Sequence, residues 1–222
     1  MEAPKREQPK VPLGVFFAVF MVVFALVFGF TAISTELEPK SYSSNTRIEV
    51  GIKPGGEKGS AVAIGYNLAK TEAGFINSEL LLRKVISDLD LNQKWGQKYY
   101  NGETLKTWET LNILQGRISI HMVSDTMFIR IFVYDDSPGD AAVTANAIAN
   151  AYVNYTATNS GYVQAQIVDN AYPETRPVRP NVALNIILGA VFGAILGVGV
   201  GAAVTGFVYA KNRNKLRLSN PR

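Results

Sequence analysis

Two long apolar runs, one near each end of the chain, constrain this sequence more than any other feature. Residues 11–35, between Lys10 and Glu36, carry no charge, and Val15 to Phe30 is almost wholly Val, Phe, Ala, Leu and Met. Residues 180–210, between Arg179 and Lys211, are again uncharged and predominantly apolar from Val182 to Ala210. A helix needs about 20 apolar residues to cross the hydrocarbon of a bilayer, so either run suffices. The apolar core of a cleaved secretory signal is only about 7–15 residues long, so the first run reads as an uncleaved anchor. The expected organisation is an N-terminal segment at 1–10, a transmembrane helix at 11–33, a domain at 34–179, a second transmembrane helix at 181–210 and a basic tail at 211–222.

Charge gives this arrangement a direction. The N-terminal flank holds Lys5, Arg6 and Lys10, and the tail holds Lys211, Arg213, Lys215, Arg217 and Arg222 with no acid. Basic flanks remain in the cytoplasm, so both termini are expected inside and the domain between the spans is expected to be exported. The chain as a whole has 22 basic against 18 acidic residues, a net charge of +4. Residues 34–179, however, hold 14 basic and 16 acidic residues, so the excess belongs to the flanks. Nucleic-acid binding rests on basic residues gathered against phosphates, so no nucleic-acid partner is expected. Cysteine is absent, which excludes disulfides, thiolate metal sites and a cysteine nucleophile, and His121 is the single histidine.

Within the domain, Thr46 to Val50 alternates as a strand, with Ile48 and Val50 on one side. Lys53 to Ser60 reads as a loop rich in breakers. Phe75, Leu82, Ile86 and Leu89 align on one helical face and predict a helix over Phe75 to Leu89. Short helical patterns follow around Trp95 and from Thr104 to Leu114. Ile118 to Val123 and Thr126 to Tyr134 read as strands joined at Ser124-Asp125. The second is apolar on both faces, as in a strand inside a sheet. Ser137-Pro138-Gly139-Asp140 has the cap, the proline and the acid of a helix start. Ala141, Ala145, Ile148, Tyr152 and Tyr155 then form a buried face, and Val163 to Val168 closes the series as a strand. The expected class is α/β, a mixed sheet with helices.

No segment along this frame carries a complete reactive constellation. Gly51 to Ser60 lacks the lysine of a phosphate loop, with Glu57 in its place. Asp135-Asp136 reads as turn chemistry before a helix, His121 as structural, and the Asn154 sequon as chance. Asn146, Asn150 and Asn154 form a polar stripe, read as a solvated face with subunit contact as the alternative. No catalytic, cofactor-binding or metal-binding residue is assigned, and no cofactor is expected. Two features remain as helix-packing or coupling elements. Gly189, Gly193, Gly197 and Gly201 recur every four residues within an apolar helix, a pattern that permits close approach of another helix. Pro173, Pro177 and Pro180 keep residues 171–180 extended, a stiff strut before the second span.

Several stretches occur together in a telling order. Tyr42-Ser43-Ser44 precedes Ile48 and Val50. Ser78 to Leu91 follows, with Val85, Leu89 and Leu91. Asp125 to Ile131 leads to Pro138, Ala141-Ala142, Ala149-Asn150 and Tyr152. Ala171, Pro173, Pro177 and Pro180-Asn181 come before the glycines that begin at Gly189. Over most of residues 40–205 this resembles the Wzz-type chain-length determinants, the polysaccharide co-polymerases, in a compact form. The long periplasmic coil found in many members has no room between Tyr155 and Val163, and no fused kinase domain is expected. The resemblance implies a non-enzymatic, multi-pass protein of a bacterial inner membrane. It would regulate the chain length or export of a lipopolysaccharide O-antigen, capsule or exopolysaccharide. The implied partners are further copies of itself, a membrane-embedded polymerase, the growing glycan and the lipid bilayer. The alternative that the resemblance offers is a membrane adaptor that activates a separate cytoplasmic tyrosine kinase.

Overall fold

The computed structural model describes residues 10–53, 61–123 and 126–219. The chain divides into two compact units, Lys40–Arg179 and the pair of flanking segments Met1–Pro39 with Pro180–Arg222.

The central unit is built on four strands: β1 (Tyr42–Ile52), β2 (Ile118–Met122), β3 (Phe128–Asp135) and β4 (Val163–Asp169). Their order in the sheet is β2-β3-β1-β4, and every pairing is antiparallel. The helix-plus-sheet class expected from the sequence stands, but the sheet is antiparallel throughout rather than mixed. The reason is where β1 lies. Strands β3 and β4 run parallel to one another, yet β1 sits between them, so no parallel pair forms. Helix α6 (Pro138–Asn159) makes the crossover and packs on β3, β1 and β4. β3 lies inside the sheet between β2 and β1, with one face buried in the core and the other half-buried.

Helices α2 (Ala61–Ile76), α3 (Glu79–Asp88), α4 (Leu91–Tyr99) and α5 (Thr107–Arg117) lie between β1 and β2 in sequence. The expected helix over Phe75 to Leu89 is two helices. Ser78 has extended backbone and its hydroxyl accepts from the Leu81 N–H at 3.4 Å, which starts α3 afresh. Ser137 caps α6 in the same way, accepting from the Asp140 N–H at 3.3 Å with Pro138 in the first turn. The expected Ser124-Asp125 turn and most of the Lys53–Ser60 loop lie outside the described residues.

One sheet face supplies the core. Ile48, Val50, Ile129, Ile131 and Val133 are buried against Leu82, Ile86, Ile148 and Tyr152 from the helices. Tyr152 donates its hydroxyl to the buried Glu72 carboxylate at 2.9 Å, which ties α6 to α2. Burial and the charge of Glu72 push the Tyr152 phenol well above the usual tyrosine range. On the other face, Arg47, Glu49, Phe128, Arg130, Phe132 and Tyr134 are half-buried by one another, and Gln164 and Gln166 are exposed. No helix among the described residues covers this second face.

The flanking unit consists of α1 (Leu13–Leu37) and α7 (Val182–Ser219). Both are long and apolar enough to cross a membrane. Both also continue beyond the spans expected from charge alone, since the helix carries on through Thr35 to Leu37 and through the basic residues after Ala210.

Candidate functional site: paired helices and a pinned proline segment

The glycine stripe of α7 faces α1 of the same chain. A Cβ added at Gly189 would lie 2.8 Å from the Thr31 side chain, and one at Gly197 would lie 2.8 Å from the Phe20 ring. At Gly193 and Gly201 the nearest ring atoms, from Phe24 and Phe16, would lie at 3.2 and 3.1 Å. The backbone comes close as well: the Phe20 carbonyl oxygen would be 3.2 Å from a Cβ at Gly197. Ordinary carbon contacts are about 3.5–4.0 Å, so only glycine fits at these positions without displacement. The glycine spacing in the sequence implies close approach of another helix. The partner is the chain's own first helix, which closes the two helices into an antiparallel hairpin.

The other half of this contact was overlooked, although its signal is plain. Phe16, Phe20, Phe24 and Phe28 also recur every four residues. Their rings stack along α1 with centroids 6.3, 6.0 and 5.8 Å apart and planes within 17° of parallel. A step of four follows the i±4 rows of a helix surface, so a phenylalanine ridge on one helix meets a glycine groove on the other. Polar contacts extend the match beyond Phe28. Asn185 donates to the Thr35 hydroxyl at 3.2 Å, and that hydroxyl donates to the Thr31 carbonyl at 2.8 Å. Thr205 continues the stripe one step past Gly201 and is buried.

The proline segment is held at its start by β1 and α6. The Ser44 hydroxyl donates to the Tyr172 carbonyl at 2.7 Å, and the Thr46 hydroxyl donates to the Asp169 carbonyl at 2.8 Å. Asn146 grips Ala171 twice, donating to its carbonyl at 3.0 Å and accepting from its N–H at 2.8 Å. The first member of the asparagine stripe is therefore a clamp, while Asn150 and Asn154 are exposed. At the far end, Ser41 pairs with Arg179: the Ser41 N–H donates to the Arg179 carbonyl at 3.1 Å, and the Val178 N–H donates to the Ser41 carbonyl at 2.8 Å. Pro173 is exposed, whereas Pro177 and Pro180 are half-buried. The segment thus meets the start of the domain at both of its ends, at Ala171–Tyr172 and at Val178–Arg179.

A second polar cluster gathers at the start of α6. Asp135 is buried and receives Arg117, whose guanidinium stacks 4.6 Å from the Trp95 ring centroid and 5.0 Å from that of Tyr99. Lys98 contacts Asp135 at 3.5 Å and Asp140 at 3.3 Å and is hydrogen-bonded to Asp136. Burial opposes the Lys98 charge, but the Asp136 and Tyr99 hydrogen bonds and the Asp135 charge raise its pKa above the usual lysine range. Burial also opposes ionisation of Asp136, yet its hydrogen bonds with Asp135, Lys98 and Tyr99 hold it at about 2. Asp135 moves up instead, through burial and its hydrogen bond with Asp136. Oxygens of these three carboxylates lie within 4.8 Å of one another, a spacing open to a cation. The Lys98 ammonium already fills that role, so the cluster joins α4, α5, β3 and α6. Sequence reading placed Asp135-Asp136 at a turn, and the structure adds the cations that hold it there.

His121 is exposed on β2, with Nε2 2.8 Å from the Ser119 hydroxyl and its ring edge-on to Phe132 at 5.3 Å. The chain matches no protein-family model and no curated protein sequence.

Proposed function

We propose that this protein is a non-enzymatic polysaccharide co-polymerase. In this reading it is an oligomeric scaffold of a bacterial inner membrane that governs the chain length or export of a surface polysaccharide. Both termini are cytoplasmic, and the sheet domain is exported beside a membrane-embedded polymerase.

The observation that carries the reading is the joined base of the domain. Ser41, where the chain begins the domain, is hydrogen-bonded to Val178 and Arg179, where it ends. The two apolar helices that flank these residues are themselves matched by a phenylalanine ridge and a glycine groove. A scaffold that sets product length works through geometry, so it needs firm links between its parts rather than a reactive group. The resemblance of residues 40–205 to chain-length determinants points the same way. Because the glycine groove is occupied by α1, contact with other copies or with the polymerase falls to the outward residues of the hairpin, such as Leu188, Phe192 and Ile195.

The deciding experiment is a gel profile of the surface polysaccharide from deletion, complemented and proline-variant cells. Deletion should leave synthesis running and shift the length distribution. Replacing Pro173, Pro177 and Pro180 with Ala should give a partial shift at normal protein level. An unaltered profile after deletion would overturn the proposal. Loss of all glycan together with loss of phosphotyrosine on a cytoplasmic partner would favour the kinase-adaptor reading. Reporter fusions at Lys98 and Arg222 test the topology and should report opposite sides.

A further inference from the structure

The ridge of α1 ends before the groove of α7 does. Phe16 is the last ring of the ridge and sits against Gly201. One step further along α7 stands Thr205, and the matching step back along α1 reaches Pro12, which precedes the first helical residue, Leu13. No ring is left to fill the groove at that point. An apolar cavity of about 340 Å3 remains, open on one side, with Val11, Phe16, Ala202, Gly206 and Tyr209 in its walls. Thr205 also lines it and is 7% exposed, yet its hydroxyl has no hydrogen-bond partner. Thr31 and Thr35 on α1 donate to the carbonyl one turn back, at 2.9 and 2.8 Å. Thr205 does not, and a buried hydroxyl left unpaired is costly. Threonine at a position where valine packs equally well marks a place where an acceptor arrives from outside.

The level of the cavity and the charge above it select the occupant. Thr205 lies six residues before Lys211, the first charge after the apolar run, and so about 9 Å below it along the axis. The headgroup layer on each side of the hydrocarbon is about 5–7 Å deep, which puts Thr205 where acyl chains meet their glycerol esters. Tyr209, one turn on, stands where interfacial aromatics gather. Ala202, Gly206, Tyr209 and Arg213 follow steps of four, three and four, so Arg213 continues the cavity side of α7. Helical side chains lean towards the N-terminus, which aims Arg213 back over the cavity mouth. Arg213 is exposed, as is Lys10 just before α1. Residues 211–222 hold five basic residues and no acid. A second copy would bring the same acid-free tail to this end and set like charges together. An apolar slot with an unpaired hydroxyl at ester level and a guanidinium above it is the complement of an anionic phospholipid.

We propose that this cavity seats an acyl chain of one anionic phospholipid of the cytoplasmic leaflet. Thr205 donates to the ester carbonyl, since threonine in a helix has two χ1 positions open to it. Arg213 takes the phosphate, with Lys10 on the facing helix. The inference rests on the cytoplasmic termini of the co-polymerase reading and is independent of the glycan.

The test uses the full-length protein in detergent micelles, with native mass spectrometry counting retained lipid. The probes are phosphatidylglycerol and phosphatidylcholine with the same acyl chains. One phosphatidylglycerol per chain should be retained at concentrations where phosphatidylcholine is not, and soluble glycerol phosphate should not displace it. Gly206→Phe, which fills the cavity from a position with nothing within 4 Å of an added Cβ, should abolish retention. Arg213→Gln should weaken it about tenfold, the loss of one charge-assisted pair. Lys215→Gln removes the same charge from the opposite side of α7 and should leave retention nearly unchanged. Thr205→Val should weaken it about threefold, the loss of one neutral hydrogen bond. Far-UV circular dichroism confirms that each variant is folded, and the Arg213 and Thr205 variants decide the matter where Gly206→Phe is not. Equal retention of the two lipids overturns the proposal. Equal losses in Arg213→Gln and Lys215→Gln overturn it too, and assign retention to diffuse tail charge. Displacement by glycerol phosphate overturns it in favour of a soluble phosphate site. A change of cross-linked oligomer size in Gly206→Phe with phosphatidylglycerol still retained assigns the cavity to a second copy. A length shift on gene deletion with no selective retention removes this site and leaves the co-polymerase reading, whereas selective retention with an unchanged length profile does the reverse.

Discussion

Gly197→Ala is the sharpest probe of the α1–α7 hairpin. The new methyl group would lie 2.8 Å from the Phe20 ring and 3.2 Å from the Phe20 carbonyl oxygen. The ring has little freedom to retreat, because Phe16 and Phe24 stack on either side of it at 6.3 and 6.0 Å. Relief therefore requires the helices to separate by several tenths of an ångström, and overpacking of this kind costs about 1–3 kcal/mol. Helix propensity works the other way, since alanine is favoured over glycine by about 1 kcal/mol inside a helix. Gly206→Ala isolates the two effects. It lies on the same helix, and nothing comes within 4 Å of its added Cβ, so it gains the propensity without the clash. Reversible unfolding in mixed micelles titrated with dodecyl sulfate should place Gly197→Ala below Gly206→Ala by about 1–3 kcal/mol. Adding Phe20→Ala should recover part of the gap, but not all, because the carbonyl contact remains. Equal stabilities for the two glycine variants would refute the ridge-and-groove packing.

The sheet domain offers three further tests. Asn146→Ala leaves both polar groups of Ala171 without their partners and should cost about 1–3 kcal/mol in urea unfolding, with early release of the proline segment in hydrogen exchange. Gly96→Ala would place a Cβ 1.9 Å from the Glu103 carbonyl oxygen and should destabilise strongly, whereas Gly116→Ala, with nothing within 4 Å, should be neutral or slightly stabilising; thermal melts compare the two. Asp136 titrates at about 2 in the folded protein, below the ordinary value of about 3.9, so the stability it contributes is present above that value and lost as pH falls towards 2. Asp135, shifted upward, contributes with the opposite sign, and carboxyl NMR of Lys98→Met should therefore show Asp136 moving up and a shallower loss of stability on the acid side.

What could be read in advance divides along physical lines. The two apolar helices, the start of α6 and all four strands follow from local signals: hydropathy, a Ser-Pro-x-Asp cap, and alternation. Helix α2 was not foreseen, since its glycines and small residues give weak periodicity and its burial comes from contacts with β1 and α6. The break between α2 and α3 was missed because the apolar residues at Phe75 and Leu82 keep one phase across it. Only the Ser78 cap distinguishes two helices from one. Strand order is a long-range property, so nothing near β1 announces that it separates β3 from β4. For the paired helices, glycine spacing was legible and its partner was not, because the phenylalanines of α1 register first as hydropathy. Their step of four gains meaning only beside the same step in α7. The juxtaposition of Arg47, Arg130 and His121 across β1, β3 and β2 is likewise invisible until the register is known.

The place of β1 at the centre of the sheet also governs when the domain can form. Ser44 and Thr46 find their hydrogen-bond partners at Tyr172 and Asp169, more than 120 positions later in the chain. At a synthesis rate of about 5–20 residues per second, β1 waits roughly 6–25 seconds for β4 to emerge. For all of that time the strand made first has an open edge, and no sequence-local neighbour is able to close it. Completion of the sheet is thereby tied to nearly the whole length of the domain, so a ribosome pause or a truncation anywhere before Asp169 leaves the same strand bare. Slow, late closure of this kind favours escort by a holding factor during biogenesis. It also makes refolding of the finished protein slower than its size alone would set, since loop closure over such a separation precedes every contact that rewards it.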